Sequence, residues 1–131
     1  MSTYLGAAGI GVNNLEASEA FYCDVFGMKR LQFLKLDDMD EIILGFPGAK
    51  GAAVVLMHYT DGSNPNYDNL PIKLAFYVDD IASSLGAITT ANCEIVREPK
   101  VYEAMGNVTI AFGKDPNGYL VEMIEKPKKS A

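Results

Sequence analysis

The chain has few of the residues that build metal clusters, disulfide frameworks or nucleic-acid surfaces. Its two cysteines, Cys23 and Cys93, stand far apart and outside any C-x-x-C motif. The spacing predicts neither a disulfide framework nor a thiolate zinc site, and we expect both to be small core residues. The net charge is −6, and only the tail with Lys126, Lys128 and Lys129 is locally basic. Because phosphate binding needs a clustered basic surface, no nucleic-acid partner is expected.

Long apolar runs are also missing from the sequence. Hydrophobic residues make up 49% of the chain and charged residues 21%. No apolar run approaches the roughly 20 residues of a membrane span, and no basic-then-apolar leader opens the chain. We therefore expect a cytoplasmic protein that does not bind membranes. At 131 residues the length suits one domain, which can bury about two thirds of its unfolded surface.

What the sequence does contain is an internal repeat. The segment GIGVNNLEAS at 9–18 aligns with AFYVDDIASS at 75–84, with Val12 over Val78. In each copy a short apolar strand ends in a pair of Asx residues and leads into a helix. A repeat of this kind must be recognised first, because it determines the fold.

Each copy has recognisable helix signals. Asn13 and Glu16 are spaced as a capping pair, an apolar stripe follows, and Gly27 supplies a left-handed stop. The second helix is predicted from about Ile81 to Ala91.

Three strand-like segments follow each helix. They are MKRLQFLKL, EIILGF and AAVVLMHY in the first half, and CEIVREP, VTIAFG and GYLVEMIE in the second. Each half is thus a βαβββ module, 1–59 and 71–126, and the polar segment 60–70 is a linker within one domain, 1–131. Since a module of about 60 residues is too small to cover its own sheet, the predicted fold class is α+β. We expect two βαβββ repeats to form a curved mixed sheet around a shared cavity.

Two motifs carry a resemblance to a known family. They are VNNLEASEAFYCDVFGMKRL at 12–31 and DPNGYLVEMIE at 115–125. With the repeat, they resemble the glyoxalase, bleomycin-resistance and extradiol-dioxygenase superfamily, also called vicinal oxygen chelate, over nearly the whole chain. The resemblance implies a glyoxalase-like fold and a catalytic divalent metal in the cavity. It also implies four ligands, with His on the first and fifth strands and Glu on the fourth and eighth.

Carried over residue by residue, these ligand positions mostly hold side chains that cannot bind a cation. The first-strand position falls at Ala7 and the fifth-strand position at Lys73. The fourth-strand position falls at Leu56 or at Val55, depending on how the shorter first hairpin is aligned. Only Glu122 matches. A divalent ion needs three or four donors, so no metal cofactor is predicted.

One alternative retains a metal site. His58 is the only histidine of the chain and lies two residues beyond Leu56, on the same face of its strand. If the register slips, His58 and Glu122 would be the ligands of a rearranged divalent-metal site. In the simpler interpretation His58 lies at the rim, where its strand ends.

A second idea concerns Lys73 and Glu122 as an ion pair across the cavity. Such a pair would orient an oxyanion or carbonyl with the lysine and move a proton with the carboxylate, so both are candidate catalytic residues. In the alternative interpretation Lys73 extends its amine to the mouth of the cavity while Glu122 caps a polar pocket. The two interpretations differ on whether the pair does chemistry.

Further residues are candidates for the wall of the pocket. Tyr77 shares a strand face with Lys73, and the small residue Ala7 leaves room on the matching strand. The predicted ligand-binding residues are Tyr77, His58, Leu56, Ala7 and Tyr102. Met105 and Met123 are either wall or ordinary core residues.

Three functions follow as hypotheses. The first is a small-molecule binding protein like the bleomycin-resistance branch, whose acidic rim favours a cationic or polyhydroxy aromatic ligand. The second is a lactoylglutathione-lyase-like lyase or isomerase, acting either through Lys73 and Glu122 without metal or through a metal at His58 and Glu122. The third is a subunit with a vestigial pocket. The resemblance also implies a homodimer with paired or exchanged halves.

Overall fold

The computed structural model describes residues 2–128, which form two helices, eight strands and a short 3-10 helix. In chain order the elements are β1 (Ala7–Gly11), α1 (Leu15–Phe26), β2 (Lys29–Lys35), β3 (Met39–Gly45), β4 (Ala53–Tyr59), β5 (Lys73–Tyr77), α2 (Ile81–Thr90), β6 (Ile95–Tyr102), the 3-10 helix (Glu103–Met105), β7 (Val108–Lys114) and β8 (Leu120–Glu125). The strands form two mixed sheets with the orders β1-β4-β3-β2 and β5-β8-β7-β6. Two βαβββ repeats were predicted, and the structure confirms them.

The first sheet belongs to a compact unit that spans Met1–Asp68. Strand β1 is parallel to β4, and β2, β3 and β4 are antiparallel. Helix α1 packs on β3 and β4. Alternate residues of these strands, including Ile42, Leu44 and Leu56, are fully buried on the helix side. We call the other side of this sheet its open face.

Helix α1 begins one residue later than the capping pair predicted. Asn14 is the N-cap, and its side chain accepts a hydrogen bond from the Ala17 N–H at 3.0 Å. The side-chain amide of Asn13 instead donates to Asp68 at 2.8 Å. The predicted stop is confirmed, since Gly27 has a φ of 75° and lies at the C-cap.

The second sheet belongs to a compact unit that spans Asn69–Ala131 and repeats the first topology. Asp80 caps α2, which packs on β6, β7 and β8. Gly113 allows the helix to approach closely, because a Cβ there would lie 2.9 Å from Cδ1 of Ile88. Gly113 therefore faces α2, and its neighbour Phe112 lies on the side away from α2, which we call the open face of the second sheet.

The boundary between the two units, after Asp68, lies inside the segment predicted as a linker. Part of that segment nevertheless belongs to the core. Tyr67 is 6% exposed, and its hydroxyl accepts a hydrogen bond from the Tyr59 N–H at 2.9 Å. Its ring stacks on His58, with the centroids 5.5 Å apart. A Cβ at Gly11 would lie 2.9 Å from the Tyr67 ring. Within the described residues, no helix is long and apolar enough to cross a bilayer.

Candidate functional site

The open face of the second sheet carries the predicted ion pair. Nζ of Lys73 lies 3.0 Å from Oε1 of Glu122. Lys73 on β5 is directly opposite Leu120, and Glu122 on β8 is directly opposite Ala75, so the pair is diagonal between neighbouring parallel strands. The two residues share one sheet rather than facing each other across a cavity. The expected ion pair is confirmed, and its position is corrected.

The two side chains of the pair differ in their exposure to solvent. The Glu122 side chain is 10% exposed and the Lys73 side chain is 54% exposed. A carboxylate with so little water around it needs a compensating charge or hydrogen bonds. Lys73 supplies that charge and keeps part of its ammonium in solvent. The pair can therefore present a positively charged donor and a carboxylate acceptor side by side.

The turn before β8 places Glu122 on this face. Oδ1 of Asp115 accepts hydrogen bonds from the N–H groups of Asn117 and Tyr119 at 2.8 and 2.9 Å. Gly118 has a φ of 82°, the left-handed conformation that favours glycine. This turn closes the β7–β8 hairpin in the register that puts Phe112 directly opposite Glu122.

A shallow depression lies beside the pair. Its volume is about 170 Å³, and it is lined by Val96, Arg97, Phe112 and Leu120. Arg97 is directly opposite Phe112 in the register, and its guanidinium lies 5.4 Å from the centre of the Phe112 ring. The floor is thus apolar and one wall is cationic. Sequence reasoning missed Arg97 and Phe112 as site residues.

The register settles which residue of β4 is equivalent to Glu122. In the second sheet Glu122 is opposite Ala75, and in the first sheet Val55 is opposite Gly9, the residue that the repeat aligns with Ala75. Val55 is therefore the equivalent position. Leu56 is fully buried on the side of α1, so we do not retain it as a candidate ligand contact.

The residues at the four family positions do not fit a metal. The side chains of Ala7 and Val55 have no donor atom, the ammonium of Lys73 has no lone pair, and Glu122 alone has a suitable side-chain oxygen. Among residues 2–128, no cluster of three or more His, Cys, Asp and Glu side chains is suited to hold an ion.

His58 is engaged within the first unit. Its Nδ1 lies 2.9 Å from the Val12 carbonyl oxygen, which can only accept, so Nδ1 carries the hydrogen. The ring also stacks on Tyr67. His58 lies two residues beyond Leu56, on the helix side of its sheet, whereas Val55 lies on the open face. A metal site built from His58 and Glu122 stays a prediction.

The other candidate wall residues fall in different places. Tyr77 is 70% exposed on the edge strand β5, and Nζ of Lys126 lies 5.0 Å from its ring centre. Tyr102 lies at the end of β6, opposite Val108. Met105 is exposed, and Met123 is fully buried on the helix side, so Met123 is core rather than wall.

In the first sheet, Ala7 is opposite Ala53 on the open face.

Comparison with known proteins places the chain in a family. The profile of the Glyoxalase/Bleomycin resistance protein/Dioxygenase superfamily matches residues 4–123. The chain belongs to this superfamily. The resemblance inferred from the repeat and the two motifs is thereby confirmed.

Curated members of the superfamily share about a third of their residues with the chain. A probable lactoylglutathione lyase from Synechocystis is 34% identical, over 92% of this chain and 93% of the relative. A lactoylglutathione lyase from Haemophilus influenzae is 30% identical, over 87% of this chain and 86% of the relative. These relatives are similar over nearly their whole length.

Solved structures confirm the glyoxalase-like fold. A glyoxalase I mutant from Zea mays superposes with a TM-score of 0.77 at 28% identity; the match covers 95% of this chain and 46% of the maize chain. This chain therefore spans about half the length of the maize protein. An antibiotic-binding protein from Streptomyces superposes with a TM-score of 0.73 at 16% identity, over 96% of this chain and 98% of that protein. At that identity the likeness concerns the fold alone.

Proposed function

We propose that the chain binds a small organic molecule on the open face of the second sheet, with the Lys73–Glu122 pair in place of the family's metal. The observation that carries the proposal is the 3.0 Å contact between Nζ of Lys73 and Oε1 of Glu122. By the family resemblance, both residues fall at ligand positions, and the other two positions hold Ala7 and Val55, whose side chains cannot bind a cation. A charged pair there supplies a donor and an acceptor without an ion.

The chemistry of the pair indicates which hydrogen-bonding groups such a ligand carries. The half-exposed ammonium of Lys73 donates hydrogen bonds to a carbonyl or an oxyanion. The second oxygen of Glu122 accepts a hydrogen bond from a hydroxyl or an amide. The ligand therefore has an oxygen acceptor and a donor close together, which is the pattern of hydroxy ketones and hydroxy acids.

The test is a binding screen with matched variants. A library of small hydroxy ketones and hydroxy acids is titrated against the wild type, Lys73→Met and Glu122→Gln, with NMR line broadening of the ligand as the signal. Lys35→Met is the control, because Lys35 also pairs with a carboxylate, Asp40, but in the first unit. We expect binding to weaken about tenfold or more in both site variants, the loss expected for a charge-assisted hydrogen bond, and to persist in the control. Equal binding in all four proteins would contradict the proposal, and so would no binding by the wild type, which would favour a vestigial pocket.

A second candidate function is that of a lyase or isomerase. It is favoured by the curated relatives named lactoylglutathione lyase, at 30 to 34% identity, and by a carboxylate retained at Glu122 next to a cation. In this scheme Glu122 takes a proton from a carbon beside a carbonyl, and Lys73 stabilises the enolate oxygen. The carbon that lost the proton carries a hydroxyl, whose proton passes to the enolate oxygen as that carbon becomes the new carbonyl. Glu122 returns its own proton to the neighbouring carbon, so that atoms and charge balance.

The enzymatic candidate has its own assay. The thioester of lactoylglutathione is followed as it forms or disappears, with and without added nickel, zinc, manganese or iron(II). If the candidate is right, the wild type turns over without metal, and Glu122→Gln lowers kcat by a factor of about a hundred or more, as expected for a general base. No turnover by the wild type, or equal turnover by Glu122→Gln, would exclude it.

Assembly is a separate proposal. The resemblance implies a homodimer, for which light scattering on the purified protein should give twice the mass of one chain. A single-chain mass at micromolar concentration would contradict it.

A further inference from the structure

The open face of the second sheet is locally more basic than the chain as a whole. The chain carries a net charge of −6, and this acidic balance predicted a cationic or polyhydroxy aromatic ligand. On this face, however, Arg97 and Lys73 accompany the carboxylate Glu122, which Lys73 already pairs. Within residues 2–128 no carboxylate lies within ion-pair distance of Arg97. Arg97 is therefore a cation on this face that is available to a ligand.

The position of Arg97 shapes what it can bind. Its guanidinium lies over the Phe112 ring, 5.4 Å from the ring centre. A cation–π contact of this kind favours one position of the guanidinium group and leaves its N–H edge free for a bidentate contact with an anion. Phe112 and Leu120 provide an apolar floor next to that edge.

A comparison with Arg30 shows that the free edge is specific to Arg97. Arg30 also lies over an aromatic ring, that of Phe33, at 5.8 Å from the ring centre. Its guanidinium edge, however, is occupied by both carboxylate oxygens of Glu19. Both guanidinium groups lie over an aromatic ring at a similar distance, but a carboxylate already fills the anion position only at Arg30.

We propose that the depression lined by Val96, Arg97, Phe112 and Leu120 binds an anionic group attached to a flat apolar body. The class of ligand is an aromatic or conjugated carboxylate, whose anion pairs with the Arg97 edge while its body covers the apolar floor. This proposal rests on the proposed function, because it names the chemical class of the molecule bound beside Lys73 and Glu122. It replaces the cationic ligand expected from the net charge.

The experiment compares three probes that share one ring. Benzoate, benzamide and benzylamine are titrated into the isotope-labelled protein, and backbone amide shifts are recorded. We expect benzoate to give saturable shifts at β6, β7 and the start of β8, with benzamide about tenfold weaker and benzylamine silent. Arg97→Gln should weaken benzoate about tenfold, and the matched control Arg30→Gln should leave it unchanged.

The remaining outcomes separate this proposal from the proposed function. No saturable benzoate shift up to about 10 mM, equal binding of benzoate and benzamide, or equal binding to Arg97→Gln would each overturn the anion site. If benzoate and benzamide bind equally and Lys73→Met abolishes the binding of both, the anion site is overturned but the proposed function is sustained. Benzoate binding that requires Arg97 but survives both Lys73→Met and Glu122→Gln would sustain the anion site and contradict the proposed function.

Discussion

Nζ of Lys73 lies 3.0 Å from Oε1 of Glu122, yet the two side chains differ greatly in exposure, 54% against 10%. The stability of the Glu122 carboxylate in the folded protein therefore depends more on Lys73 than the stability of the Lys73 ammonium depends on Glu122. Removal of the cation leaves a charge in a largely dry position, whereas removal of the carboxylate leaves an ammonium that can be hydrated.

The first prediction concerns the stability of the pair. We expect Lys73→Met to lower the free energy of unfolding by about 1 to 2 kcal/mol, less than the roughly 3 to 5 kcal/mol of a fully buried pair, because Lys73 is half exposed. Glu122→Gln should cost less. Urea unfolding of both variants and of the double variant should show a coupling of about 1 kcal/mol. Strictly additive losses would show that the contact contributes no stability.

The second prediction concerns the turn that places Glu122. Gly118 has a φ of 82°, and a Cβ there would lie within van der Waals overlap of the Asn69 side chain. We expect Gly118→Ala to lower the free energy of unfolding by about 2 to 3 kcal/mol. Gly106→Ala is the control, since Gly106 has a φ of 79° and open space around it. It should cost only about 1 kcal/mol, and equal losses in the two variants would refute the steric account.

The third prediction concerns the pH dependence of stability. Hydrogen bonds from Arg30 lower the pKa of Glu19 from its ordinary value of 4.5, outweighing the partial burial that raises it. A carboxyl group whose pKa is lowered by folding stabilises the folded state at any pH above its ordinary pKa. This stabilisation is lost as the pH falls from the ordinary pKa through the pKa in the folded state. Glu19→Gln should therefore lower the urea midpoint at pH 7 and match the wild type in strong acid. A difference that persists unchanged in strong acid would contradict this assignment.

The fold could be predicted because the signals are local and occur twice. The Asx pairs, the left-handed glycine and the alternating apolar segments each determine a short stretch of chain, and the repeat shows that both halves fold alike. The ion pair could be predicted for a related reason. Lys73 and Glu122 fall at two of the ligand positions that the family resemblance implies, and the repeat brings such positions together.

The remaining site residues depend on register, which the sequence determines poorly. The first hairpin is one residue shorter than the second, so alignment alone left Val55 and Leu56 as alternatives for one position. Because side chains alternate between faces, that single residue decides between the open face and the core.

Arg97 was missed for the same reason. It meets Phe112 across a strand pair whose register shifts on both sides of Arg97. No spacing rule in the sequence predicts which residue of a bulged strand lies over a given ring.

The most direct test of the account is the metal content of the protein. Elemental analysis is done on protein purified without chelator, and again after incubation with nickel, zinc, manganese and iron(II) followed by desalting. Because Lys73 and Glu122 stand in place of the ion, we predict less than about a tenth of an equivalent per chain in every case. About one equivalent, lost on His58→Ala or Glu122→Gln, would contradict the account and identify a rearranged metal site.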